Sequence, residues 1–290
     1  IAIGAKDNSG SAQYAGHVRI YEWNGQDWVQ RGGDIDGEAA GDTSGKSVSL
    51  SADGGVVAIG AYLNDGNGAN AGHARVFAWN GTDWVQRGVD LDGDGANDSL
   101  GRNLSMSSDG AVVAVSSGID SNGGSVVVYS WTGSQWDQIG SDIEGEAIGD
   151  ASGASVSLSG DGTTLAVGAI NNDGNGSNSG HVRVYKRNGT DWTRKGTDID
   201  GDQANFQFGY RVALSFNGQR LGVTSPAGLP PADPDAGTLR AFEWDGSSWV
   251  QRGFDIYGQA SGDQAREVAS SANGNVVAYG GWYHDGSGSN

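Results

Sequence analysis

Cysteine is absent from the 290 residues, which removes disulfides and thiol metal sites together. Basic residues are few: 17 Lys and Arg against 35 Asp and Glu leave a net charge of −18. Such a chain repels nucleic acid and anionic membranes, and cations are its natural counterparts. No run of about 18 apolar residues occurs, so no membrane insertion is expected. Proline is confined to one stretch, where Pro226, Pro230, Pro231 and Pro234 stiffen a single loop. A nucleophile elbow, a phosphate loop and zinc-type spacing are all missing, and an enzyme is the least expected outcome. The sequence opens on Ile1-Ala2-Ile3-Gly4-Ala5 without Met or a signal peptide, and it is read as a segment of a longer product.

What is present is a repeat. The stretch SGKSVSLSADGGVVAIGA (Ser44–Ala61) returns at Leu100–Ser117, Ser152–Ala169, Phe208–Ser225 and Gln264–Gly281, in steps of 56, 52, 56 and 56 residues. A fixed period of this size marks an array of stacked units. Within one copy, Ser47–Ser51 alternates small polar residues with Val48 and Leu50, as a half-buried strand does. Ala52-Asp53-Gly54-Gly55 supplies a turn, and Val56–Ala61 is apolar enough for a strand buried on both faces.

The rest of the period reads as two more strands. Gly16–Trp23 and Asp27–Gly32 flank Asn24-Gly25, a strong hairpin signal. Four antiparallel strands in about 56 residues predict a β-propeller blade. The array comprises repeats at about 1–57, 58–113, 114–165, 166–221 and 222–277, with a partial sixth at 278–290. Five to seven blades are expected in the intact protein. Residues 1–5 and 277–281 would compete for one strand slot in a five-bladed ring, so a terminal strand is free to extend the array or to pair with a second molecule.

Paired tryptophans recur at Trp23/Trp28, Trp79/Trp84, Trp131/Trp136 and Trp244/Trp249, with Arg187 before Trp192 in the fourth copy. One reading is a cross-strand indole clamp on each hairpin. The other makes Trp23, Trp79, Trp131 and Trp244 platforms for sugars. His17, His73 and His181 open the same strand in three copies, with Ser125 and Thr238 in the others. A residue that follows the repeat in this way is read as a hydrogen-bonding strand opener rather than a catalytic group.

The acidic loops are the candidate metal sites. Asp90, Asp92, Asp94 and Asp98 stand at relative positions 1, 3, 5 and 9, with Gly95 at 6 and the Ala96 carbonyl at 7. That set could wrap six to eight oxygens around calcium, with water completing the shell. The first copy offers Asp34, Asp36, Glu38 and Asp42, and the third offers Asp142, Glu144, Glu146 and Asp150. The fourth has Phe206 at position 9, and the fifth has Tyr257 and Gln259 among its acids. Solvated acidic turns would carry the same spacing.

A second, weaker ligand surface comprises Asn64, Asp65 and Asn67 with Asn172, Asp173 and Asn175, residues that are also ordinary turn formers. Sequons at Asn80, Asn97, Asn103, Asn175 and Asn188 could carry glycans on a eukaryotic secretory route.

Phe208-Gly209 before a strand and turn, the recurring [AV]-[IV]-G-A, and D-x-D-x-D-G-x-x-D at Asp90–Asp98 together resemble the FG-GAP repeats of integrin α-subunits and of many surface proteins. The resemblance covers essentially the whole chain. It implies an extracellular or cell-surface propeller, stiffened by calcium and binding a protein or glycan ligand without catalysis. The acidic loop here precedes the FG-equivalent glycine, whereas the family's calcium loop lies between FG and GAP. A lectin and a structural subunit of an extracellular assembly are the alternatives.

Overall fold

A computed structural model describes residues 1–118, 123–229, 235–260 and 262–281. Pro230, Pro231, Pro234 and His284 lie outside the described residues. All regular elements described are strands, and their named pairings are antiparallel.

The second sheet illustrates the design. Ser47–Leu50, Val56–Ala61, His73–Trp79 and Trp84–Gln86 pair in sequence order, and the two-residue strand Leu91–Asp92 returns to pair with the start of His73–Trp79. The first turn is closed by side chains. Ser51 Oγ donates to Asp53 Oδ1 at 2.6 Å and accepts from the Val56 N–H, while the Gly55 N–H donates to Asp53 Oδ1. The short Leu91–Asp92 strand lies inside what the sequence presents as an acidic loop. Leu91 is buried between the half-buried Asp90 and the exposed Asp92, an alternation too short to read as a strand. The sheet also groups Ser47–Leu50 with the strand that follows, so a sheet and a repeat counted from residue 58 are offset.

The chain forms two compact units, residues 1–120 with 125–143, and 121–124 with 144–290. In the first, Val57 and Ile59 pack with Val18, Ile20 and Ile35 of the preceding sheet. Ala58, between them in sequence, packs with Leu104, Met106 and Val113 of the next. Successive side chains of one strand thus serve opposite interfaces, which explains why Val56–Ala61 is apolar throughout and buried from Val57 onward. The second unit repeats this: Ala166, Val182 and Val184 meet Val212, Leu214, Leu221 and Val223.

Neighbouring sheets approach backbone to backbone at glycines, Gly60 and Gly168 among them. A Cβ on Gly60 would lie 2.0 Å from the Gly101 carbonyl oxygen, and one on Gly168 would lie 2.1 Å from that of Gly209. Gly101 and Gly209 themselves adopt φ of +91°, a region costly for other residues. Ser47 Oγ and Ser155 Oγ seal these contacts by donating to the same two carbonyls. The glycines of the "FG" and "GA" motifs are therefore two halves of one seam between sheets.

Candidate functional site

Arginines near the start of the strands His17–Trp23, His181–Asn188 and Thr238–Trp244 face the acidic loop of the same repeat. Arg19 donates to both oxygens of Asp34, which also accepts from Gln30. These hydrogen bonds, Arg19's first, pull the Asp34 pKa down to about 2. Arg183 holds Asp198, and Arg240 holds Asp255, in the same way. Position 1 of each of these loops is thus committed to its own sheet.

Position 5 reaches the next sheet. Glu38 pairs with Arg75 at 3.3 Å, Glu146 with Arg183, and Asp202 with Arg240 at 2.5 Å. Burial works against the Arg240 charge, but the bonds to Asp202 and Asp255 overcome it and hold its pKa above the ordinary value. Position 9 closes its own loop: Asp42 accepts from the Ala39 N–H, Asp150 from Ala147, and Asp263 from Gln259 and Ala260. Asp34, Glu38 and Asp42 of the first loop therefore diverge toward three different partners, whereas Glu146 and Asp150 of the third share the Asn172 amide.

The second loop differs in its neighbour. Val127 stands where the other junctions place Arg75, Arg183 and Arg240. A recess of about 50 Å³ opens there, lined by Asp92, Asp94, Asp98 and Asp142 with Tyr129 and Gln138. Asp142 accepts from Gln138 at 2.7 Å, and Asp98 accepts from the Asp94 N–H at 3.1 Å. Burial, followed by the fields of Asp142, Asp94, Asp98 and Asp92, pushes the Tyr129 hydroxyl up to about 12. Burial and then Asp90 raise the Asp92 carboxyl. Asp90 turns away, accepting from Gln86 and facing His73. Ala96 and Asp36 are exposed, and the Asp36 carbonyl accepts from Arg75.

His17, His73 and His181 each open a strand, as expected, but His73 departs from the hydrogen-bonding role. His73 is 1 % exposed, and its Nδ1 makes no hydrogen bond, lying 3.6 Å from Asp90 and 3.9 Å from Glu38. Burial and then Arg75 lower its pKa, so the imidazole is neutral near pH 7. Among the described residues, two acid–histidine groups converge within 4.8 Å: Glu38–His73–Asp90 and Glu146–His181–Asp198. Among the described residues, no single acidic loop brings three of its own carboxylates that close.

The tryptophans form cross-strand pairs with ring centroids 5.4–5.6 Å apart. In three pairs a cation from the preceding repeat lies over the rings: Arg31 on Trp79 and Trp84, Arg87 on Trp131 and Trp136, and Lys195 on Trp244 and Trp249. The recurring Arg/Lys after W-x-Q-type strands was the signal for this latch, and single-residue inspection passes over it. Trp23 and Trp28 are about half exposed, at 51 % and 52 %, beside a recess of about 280 Å³.

The asparagine loops are locked into the fold. Asn67 donates to the Gly93 carbonyl and Asn175 to that of Gly201, each pinning the acidic loop of its repeat. Asn64 accepts from Gly66, Asp65 from Asn70 and Asp173 from Asn178, while Asn172 donates to Asp150. Of the sequon residues, Asn80, Asn97 and Asn188 are exposed, and Asn103 lies within the strand Asn103–Met106.

Repeated antiparallel sheets with interlocking inner strands define a β-propeller-like repeat protein. Two stretches, residues 35–77 and 144–185, match the FG-GAP repeat, and the chain carries FG-GAP repeats. Each match runs from an acidic loop through the seam glycine to the strand bearing His and Arg. No curated protein matches the sequence. Solved structures of similar fold include a protein named, by assignment, a 6-phosphogluconolactonase from Bacteroides uniformis ATCC 8492, at 13 % identity and TM-score 0.65, covering 97 % of this chain and 74 % of that one. Another is KlAtg21 in complex with the coiled coil of AgAtg16, at 12 % identity and TM-score 0.56, covering 84 % and 66 %. At these identities the likeness is one of fold.

Proposed function

We propose that the chain is an extracellular binding module without catalytic activity, a repeat scaffold that presents its loops to a protein or glycan ligand and holds calcium beside its second acidic loop. The observation that carries the calcium reading is Val127. Where Glu38, Glu146 and Asp202 each meet a guanidinium, Asp92, Asp94, Asp98 and Asp142 meet an aliphatic side chain and a recess. All-oxygen donors of this charge suit a hard cation. In the first, third and fourth loops the position-5 acid pairs with arginine instead of facing its own loop's carboxylates, which argues against a calcium held within one of those loops. The prominent acids belong to the repeat and serve its seams, which supports a scaffold over an active site.

Thermal unfolding with calcium and with chelator tests this. A native-state ligand at 100 times its dissociation constant adds about 2.7 kcal/mol, so the melting temperature should rise with calcium and the rise should vanish in Asp94→Asn and Asp142→Asn. An unchanged melting temperature at millimolar calcium overturns the reading.

A lectin is the second reading, resting on the recurring cross-strand tryptophan pairs. Binding on a glycan array that is lost in Trp23→Ala supports it, and an array without hits rejects it.

A further inference from the structure

The Glu38–His73–Asp90 cluster lies outside the calcium recess and joins two successive acidic loops through a buried imidazole. Its spacing is informative. At 3.6 and 3.9 Å, the Nδ1 separations are too long for hydrogen bonds. Nitrogen and oxygen ligands about 2.0–2.2 Å from a tetrahedral ion stand about 3.3–3.5 Å from one another, so these separations approach the edges of a coordination tetrahedron.

The outer oxygens are already oriented. Gln86 donates to Asp90 Oδ1, leaving Oδ2 toward His73. Arg75 lies 3.3 Å from Glu38 Oε1, leaving Oε2 toward His73. Arg75 is itself fixed by the Asp36 carbonyl at 2.7 Å and by the Phe77 ring. Supporting donors of this kind hold carboxylates in place around metals. The buried Nδ1 has no hydrogen-bond partner, and one ligand atom from each of the three residues lies within 4.8 Å of the others.

We propose that Glu38 Oε2, His73 Nδ1 and Asp90 Oδ2 form a site for a zinc-class divalent ion. An imidazole donor favours such ions over calcium, and three protein ligands leave a coordination position for water or an anionic group. The related Glu146–His181–Asp198 cluster is closed to metal. Arg183 and Asn172 occupy the two oxygens of Glu146, and Arg183 also occupies the Asp198 oxygen facing His181. The proposal is independent of the calcium reading, because it shares no ligand with the Asp92–Asp142 recess.

The test is titration of the metal-free full chain with cobalt, followed by its visible d–d absorption, and with zinc by calorimetry. A single high-affinity equivalent is expected. Glu38→Gln and Asp90→Asn should each weaken it at least tenfold, as loss of a ligand does, while His181→Gln leaves it unchanged. Glu38 is substantially exposed, so Glu38→Gln keeps the test independent of folding, which circular dichroism checks. No cobalt spectrum at millimolar metal overturns the proposal, as does uptake that persists unchanged in Glu38→Gln and Asp90→Asn.

Discussion

The indole N–H of Trp84 donates to the main-chain carbonyl of Arg31, 2.7 Å away in the preceding sheet, while the guanidinium of Arg31 lies over Trp79. Trp136 with Arg87, and Trp249 with Lys195, repeat the arrangement. Trp84→Phe keeps the ring and strands the carbonyl, so a loss of about 1–3 kcal/mol is expected in urea unfolding. Trp28→Phe, at a half-exposed pair, should cost less in the same measurement.

Lys195 gives the latch a pH dependence. Its Nζ donates to the Gly218 carbonyl at 2.6 Å, and burial lowers its pKa to about 8 from an ordinary 10.5. The unfolded chain therefore holds this proton more tightly. The full cost of burying the charge is present below pH 8, and stability rises as pH climbs from about 8 toward 10.5, by up to about 1.4 kcal/mol per pH unit. Chemical denaturation of Lys195→Met across that range should lack this component. Equal slopes in the two proteins would refute it.

Val127→Arg should place a guanidinium where the other junctions have one. Calcium-dependent stabilisation is expected to disappear, and the chelated protein should melt higher than the chelated parent. Differential scanning calorimetry in both conditions reads the two effects at once.

The glycine seam predicts a sharp contrast. Gly60→Ala puts a methyl group 2.0 Å from the Gly101 carbonyl oxygen, so backbone must move, and a loss of at least 1–3 kcal/mol, to order of magnitude, is expected. Gly33→Ala, which would meet nothing within 4 Å and has no positive φ, should leave the denaturation midpoint close to the parent's.

The hairpins, the two-faced central strand and the indole pairs were legible because each is written within a few residues. Asp53-Gly54, the apolar run Val56–Ala61 and Trp79/Trp84 each declare their geometry locally. The polar seams were not. Glu38 meets Arg75, and Asp202 meets Arg240, across about two thirds of a repeat. In the first loop the 1-3-5-9 acid spacing looks like one ion's cage until Asp34, Glu38 and Asp42 are seen to meet Arg19, Arg75 and their own backbone. His73 showed the opposite problem: its periodicity was plain, yet only the fold reveals two acids from different loops beside it.

Because Arg31 and Trp84, or Gly60 and Gly101, are supplied from consecutive repeats, a repeat can carry a donor half and an acceptor half of the same joint. The joint has a direction, since Trp84, Trp136 and Trp249 each grip the preceding repeat at its basic residue. Duplication of a whole period brings its own matching connectors, so such a chain can lengthen without inventing a new interface. A single substitution such as Val127, by contrast, opens one joint to new chemistry while its neighbours stay shut.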